Sequence, residues 1–282
     1  MRFSDCHPLV NLAWFLAVGG ISVFYMNPLT SFFTLIAACV MQSRLGKGRL
    51  FTLLVPMMIV TAIVNPLISH KGVTILAYFP SGNPLTLESI VYGVSAAVML
   101  GAAMMLCVVF SKIFTVDKLH YFIGRILPSL AIILSMILRF VPRFVSHIGD
   151  AYRARCTLLG TPKNKRTKIK YGAAAVSASM TWALENSLDV ADSMKSRGWG
   201  LPNRTSFTRY RFEDRDRDAL TAILVMSAYF ISGIAYGALE FRFYPTIQFS
   251  EVTPFGVSCF IVYAFLCSFP LLMEVRHGKI KN

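Results

Sequence analysis

Six stretches of the chain are apolar over lengths that approach or reach the width of a bilayer, and this feature limits the fold more than any other. A helix rises 1.5 Å per residue, so crossing the hydrocarbon core takes about 20 apolar residues, with a range of roughly 17–25. Leu50–Leu67, Ser89–Phe110, Ala219–Leu239 and Pro254–Met273 meet that length. Leu9–Tyr25 and Pro28–Met41 form a shorter pair joined by the turn-like Met26-Asn27-Pro28, and the second is read as tilted, broken or extended beyond Met41. The composition agrees, at 55% hydrophobic and 15% charged with mean hydropathy +0.57. Soluble domains run at about 45–50% apolar and about 25% charged. An ordinary soluble enzyme, a disordered protein and a secreted disulfide scaffold are therefore excluded. The expectation is an all-α integral membrane protein with about six transmembrane helices. Six isolated cysteines, four in apolar runs and none in a C-x-x-C pair, read as small buried hydrophobes.

Basic residues collect in the short cytoplasmic loops of membrane proteins, so loop charge orients the chain. The loop after the second stretch holds Arg44, Lys47 and Arg49, and the tail after the sixth holds Arg276, Lys279 and Lys281. The loop 69–88 has only Lys71 among Lys and Arg, and the loop 240–253 sets Arg242 against Glu240 and Glu251. The first two are assigned to the cytoplasm and the last two to the outside. Both termini then face the cytoplasm, as an even number of crossings requires. The N-terminus lacks a signal-peptide pattern, so the first stretch is read as a retained span.

Net charge is +14, and 19 of the 28 Lys and Arg lie between Ser111 and Arg217, with 8 of the 14 Asp and Glu. This divides the chain into an N-terminal membrane region of four spans (1–110), a cytoplasmic region (111–217) and a C-terminal membrane region of two spans (218–282). Within the middle region, Ser129–Val141 is apolar for only 13 residues before Pro142 and is interrupted by Arg139. It is expected to lie in or re-enter the interface, with Arg139 snorkelling to headgroups or pairing with an acidic helix.

Two long helices are expected there. The first runs from about Pro128 through a kink at Pro142 to Leu159, stopped by Gly160 and Pro162. The second starts near Ile169 and stops at Arg197-Gly198, with Pro202 beyond. Along it Met180, Leu184, Leu188, Ala191 and Met194 line one face, and Glu185, Asp189 and Asp192 another, which is an amphipathic pattern. Its early turns, Gly172-Ala173-Ala174-Ala175 and Ser177-Ala178-Ser179, leave room for the first helix to cross closely.

The two helices end on one repeated hexapeptide: Asp150-Ala151-Tyr152-Arg153-Ala154-Arg155 and Asp192-Ser193-Met194-Lys195-Ser196-Arg197. One reading is that the arginines complement the negative end of each helix. The other is a surface device used twice, for two similar docking partners or the halves of a dimer, because a guanidinium fork suits carboxylates and carbonyls at an interface.

No phosphate-binding loop, G-x-G-x-x-G turn or H-E-x-x-H motif occurs, and the five His are isolated in sequence, so no catalytic or metal motif is assigned. Asn65 and Pro66 read as a helix-terminating turn. The basic and aromatic run Arg204–Arg217 suits anionic headgroups or a cover over the helices rather than nucleic acid, since Glu213, Asp214 and Asp216 interrupt it just before a span.

These residues resemble the transmembrane T-component of energy-coupling factor (ECF) transporters, the EcfT/CbiQ type of vitamin and cobalt or nickel importers. The likeness covers nearly the whole layout. It is most specific at Ala191–Gly198, at the Arg155 copy, and at Asn65-Pro66-Leu67 with His70 and Gly72 after it. It implies two crossed cytoplasmic coupling helices whose ends, Ala154-Arg155-Cys156 and Ser196-Arg197-Gly198, dock on two ABC-type ATPase subunits or a homodimer of one. Cys156 and Ser196 depart from the family's Ala-Arg-Gly pattern, and both are small. The resemblance further implies a substrate-binding membrane S-component resting on the apolar helix faces, with Met136, Leu138, Met180, Leu184 and Leu188 as candidates for that surface. Core packing is the other reading of those five. Asn65, Pro66, Pro142 and Gly160 are given structural roles. ATP and Mg would be bound by the ATPases, with no cofactor, metal or catalytic residue in this chain, which would sit as a multi-pass subunit in the cell membrane. The other functional readings are a membrane enzyme acting on anionic lipid or polyprenyl phosphate, and a self-sufficient carrier or channel.

Overall fold

Prolines and short polar residues set where the first helices begin. Pro8 opens α1 (Pro8–Phe24), where the His7 ring accepts from the Leu9 amide at 3.2 Å, and Pro28 opens α2 (Pro28–Arg44), where the Asn27 carbonyl oxygen accepts from the Leu29 amide at 3.0 Å. Proline costs nothing at a first helical position, whose amide has no intrahelical partner. The chain continues through α3 (Leu50–Ile68), the hairpin β1 (Ile75–Tyr78) and β2 (Pro84–Thr86), α4 (Leu87–Ile113), α5 (Val116–Ile126), α6 (Pro128–Leu159), α7 (Lys165–Ser196) and α8 (Asp214–Ala235). A two-residue hairpin, β3 (Phe241–Arg242) and β4 (Gln248–Phe249), precedes α9 (Pro254–Gly278). This computed structural model describes residues 3, 6–46, 50–69, 72–78, 84–199, 201, 210, 212–249 and 253–278. Of the residues singled out in the sequence, Lys47, Arg49, His70, Lys71, Pro202, Arg204, Glu251, Lys279 and Lys281 lie outside the described ones.

The chain divides into two units, residues 1–118 with 210–282, and residues 119–209. In the first, α4 packs against α1, α2 and α3, and contacts continue from α1 to α8, from α8 to α9 and from α9 to α2. Without a hydrophobic drive between helices in lipid, such contacts depend on small residues that let backbones approach. Gly93 of α4 meets α3 where a Cβ would stand 3.0 Å from the Ala62 carbonyl oxygen, and Gly233 of α8 meets α9 where one would stand 2.6 Å from Cys259 Sγ. The core of this unit is aromatic and hydrogen-bonded. Trp14, fully buried, donates its indole N–H to the Leu266 carbonyl at 2.8 Å, and the Tyr263 and Thr34 hydroxyls bond at 2.7 Å.

The second unit holds most of α5, with α6 and α7. Its structure follows the sequence at the helix ends. Gly160 caps α6 with φ +78°, and Gly198 follows α7 with φ +81°, both in the region that favours glycine. At α7 the Trp199 amide reaches back to the Met194 carbonyl and the Gly198 amide to the Lys195 carbonyl, each at 3.0 Å, which is a Schellman closure. α7 starts at Lys165, four residues before the expected Ile169, so the polar run is already helical.

Several expectations need correction. α6 runs through Pro142 over the expected Pro128–Leu159, one lost ladder bond being absorbed by the turns on either side, so its apolar stretch does not end at the proline. The 13-residue limit on the stretch before it therefore does not hold. Asn65 and Pro66 do not terminate α3. They lie in its last turn, where the Asn65 carbonyl accepts from the Ser69 amide at 2.9 Å and Pro66 packs against Gly93. Only Cys259 and Cys267 of the six free cysteines are buried, and Cys107 is exposed on α4. Among the described residues four helices are long and apolar enough to cross a membrane: α4, Ser129–Leu159 of α6, α8, and Pro254–Glu274 of α9. Pro8–Phe24 and Leu54–Ile68 are shorter apolar helices. The molecule is thus an all-α membrane protein with two small hairpins.

Replacing Gly93 by Val inserts side-chain bulk against the Ala62 carbonyl and Pro66. We expect it to destabilise the α3–α4 contact by about 1–3 kcal/mol, read as a lowered thermal midpoint in detergent, whereas Gly149→Val, where a Cβ meets nothing within 4 Å, should leave the midpoint unchanged or slightly raised, because valine exceeds glycine in helix propensity by a few tenths of a kcal/mol.

Candidate functional site

The two hexapeptides share an internal pairing that the sequence repeat suggests and the structure supplies. Arg153 lies 3.8 Å from Asp150, and Lys195 lies 3.8 Å from Asp192, so in each copy the leading acid meets the basic residue three positions on. All four side chains are exposed, and pairs of this kind stabilise a helix by only about 0.2–0.5 kcal/mol. Their consequence is one of charge. Each acid is engaged by the nearer base, and neither Arg155 nor Arg197 has an ion pair among the described residues. Both copies present a permanent cation, preceded by an exposed small residue, Ala154 or Ser196.

The copies differ in setting. Arg197 is the C-cap residue of α7 and is exposed, held beside the Schellman turn. Arg155 lies four residues before the end of α6 and is half-buried, as is Cys156 after it. The macrodipole accounts well for a cation at Arg197 and less well for one a full turn inside the helix.

α6 and α7 are held together by a small-residue contact and a ring stack. Ala175 and Ser179 are buried on α7, whereas a Cβ on Gly172 would meet nothing within 4 Å, so the close approach falls on the alanine and serine rather than the glycine. Ser179 Oγ lies 3.1 Å from His147 Nδ1, and the His147 ring stacks on Trp182 with centroids 4.2 Å apart at 9°. The Tyr171 hydroxyl donates to the Leu159 carbonyl at 3.4 Å near the turn. Of the residues assigned to an apolar contact surface, Leu138, Met180, Leu184 and Leu188 are exposed and Met136 is half-buried. None of the five is a fully buried core residue of this chain.

Sequence reasoning missed two polar anchors in the other unit. Glu88, buried at the start of α4, accepts from the Thr74 amide and, at 2.8 Å, from the Thr74 hydroxyl, closing the segment after α3 over Gly72, where a Cβ would collide with the carboxylate. Lys118, buried at the start of α5, donates to the Asn11 side chain when that amide turns its oxygen toward it. The only available signal was a lone charge beside an apolar run. No group of three or more metal-ligating side chains gathers among the described residues. A cavity of about 620 Å³ between α2, α4 and α9 is lined mainly by apolar residues, with Glu240 its one ionisable side chain.

A protein-family model described as CbiQ, cobalt transport protein, matches residues 3–207. No curated protein matches the chain.

Gly198→Ala places a Cβ at positive φ and 3.0 Å from Leu201 Cδ1. The expected cost is about 1 kcal/mol, confined to the end of α7. Hydrogen exchange at amides 197–199 should quicken about five-fold with the rest of α7 unchanged.

Proposed function

Because the chain belongs to the CbiQ cobalt transport protein family, we propose that it is the transmembrane coupling (T) subunit of an ECF-type ABC importer. The observation that carries this reading is the twice-repeated helix end whose acid is engaged internally and whose final arginine, Arg155 or Arg197, has no ion pair among the described residues. Two equivalent cations on two helices suit two equivalent acceptors, and a pair of ABC-type ATPases supplies that symmetry. ATP binding draws the ATPases together, the helix ends move with them, and α6 and α7 turn relative to each other. The exposed apolar stripe of Met180, Leu184 and Leu188, with Leu138 and Met136, meets the membrane-embedded S-component, which carries the vitamin or metal ion. ATP and Mg belong to the ATPases.

In this reading α1, α2, α3, α4, α8 and α9 cross the membrane and both termini are cytoplasmic. At 17 residues α1 and α2 span only about 26 Å, a shortfall that local thinning of the bilayer accommodates. α6 is long and apolar enough to be a seventh crossing, and charge argues against it. If α6 crossed alone, the 12 Lys and Arg between Lys163 and Arg217 would be placed outside, contrary to the cytoplasmic bias of such charges. Arg139 and Arg143 would enter the bilayer with its apolar part.

The test is an affinity pull-down from native membranes in mild detergent, wild type beside Arg155→Ala/Arg197→Ala. Wild type should bring down one or two ABC-type ATPases and a small hydrophobic protein. Losing one central interfacial Arg costs about 2 kcal/mol, roughly a 30-fold weaker association, so each single variant should retain ATPase weakly and the double variant none. Lys should substitute poorly, lacking the planar fork. Recovery of wild type as a stable, solitary species would contradict the assignment.

A further inference from the structure

The contact between α6 and α7 is uneven along its length. From Leu159 and Tyr171 at the turn to Phe140 and Trp182, the helices are joined by the contacts described above. Beyond that boundary no hydrogen bond or ring stack joins the two helices among the described residues, and apolar side chains stand exposed on both, Ile133 and Leu138 on α6 and Leu184 and Leu188 on α7, as Val145 and Met180 also do within the joined half. The pair is thus a joined half, which contains Arg155, and two free arms, one of which ends at Arg197.

The boundary itself is built unlike an ordinary helix contact. Fully buried Ser179 fixes one point through its hydroxyl to His147 Nδ1. Around that point lies a stack of nearly parallel rings: His147 on Trp182 at 9°, and Phe140 on the same indole at 6.1 Å and 12°. Interdigitated aliphatic side chains lock two helices at one angle, because ridges must leave their grooves before the axes turn. Flat stacked rings offer offset arrangements of similar energy and can turn over one another while staying in contact. A single hydrogen bond beside a ring stack therefore holds position without fixing angle.

Resting on the coupling reading, we infer that His147, Ser179 and Trp182 form the fulcrum of the α6–α7 pair: positioning residues that set how much of a displacement at Arg197 reaches the apolar arms. Eighteen residues separate Ser179 from Arg197, an arm of about 27 Å at 1.5 Å per residue. A turn of about 10° at the fulcrum moves the arginine by about 5 Å over that length. The same turn moves Tyr171, eight residues away on the other side of Ser179, by only about 2 Å, so the joined half, with Arg155, is the short side of the lever.

The experiment uses the transporter assembled with its ATPases and S-component in nanodiscs. Spin labels are placed at Ser135→Cys and Ser187→Cys, one exposed site on each arm, in a background whose six native cysteines are replaced by alanine. ATP-induced change in the inter-label distance and ATP turnover are measured on the same sample. In the parent, ATP should shift the distance. Trp182→Ala should reduce that shift by at least half, or broaden it into several distances, while assembly and ATP turnover stay within two-fold of the parent. Trp182→Phe, which keeps a flat ring, should restore the shift, an outcome that a merely structural role does not predict for turnover-neutral variants. Ser179→Ala removes one oxygen and no volume of consequence, so it decides the matter if Trp182→Ala fails to assemble, with a shift reduced about two-fold expected. An unchanged shift in an assembled Trp182→Ala or Ser179→Ala transporter overturns the fulcrum and leaves the coupling reading intact. A parent chain that assembles with no ATPase overturns both.

Discussion

The close contact of α6 with α7 at Ala175 and Ser179 is the interaction on which the helical unit depends. Small side chains at these buried positions let two 32-residue helices lie near enough for Ser179 to reach His147 and for the His147 and Trp182 rings to stack. A larger residue at either position would hold the backbones apart and lose both. The contact turns two helices, each uncovered along an apolar face, into one piece with a defined base and two arms. Only in that form do the repeated helix ends become two points on one lever rather than two unrelated basic patches.

The membrane unit uses the opposite strategy. Its glycines at 93 and 233 seat neighbouring helices at near-contact distance, and its buried polar side chains are spent on fixing particular partners, as with Trp14 to Leu266 and Tyr263 to Thr34. Glu88 and Lys118, the charges most withdrawn from solvent, both sit at the starts of helices. Each anchors a neighbouring segment, Glu88 the turn at Thr74 and Lys118 the Asn11 side chain of α1.

Much of this was legible in the chain. Apolar length placed the starts of α1, α3 and α9 within one residue, whereas α8 begins five residues before and ends four residues before the expected Ala219–Leu239, because its first turns are charged. Gly160 and Gly198 marked the helix ends because only the left-handed region closes such a turn without cost. The hexapeptide was visible as a repeat, and its acid and base three apart were already placed to pair. The helix through Pro142 was read with its observed bounds, and the error was to count its apolar length only as far as the proline. The amphipathic α5, the two hairpins, the Glu88–Thr74 closure and the ring stack were not legible. The closure and the stack rest on partners 14 and 35 residues away, Thr74 with Glu88 and His147 with Trp182, whose meeting is decided by how the helices pack and not by any local pattern.

The most direct measurement is site-specific photo-crosslinking in native membranes, with Ala154→p-benzoylphenylalanine and Ser196→p-benzoylphenylalanine tested separately. Both positions are exposed, and each immediately precedes one of the two arginines. The coupling account predicts that each yields an adduct with an ABC-type ATPase, identified by mass spectrometry, and that the two adducts map to equivalent grooves on the two ATPase subunits. Adducts with lipid alone, or with no ATPase at either position, would contradict it.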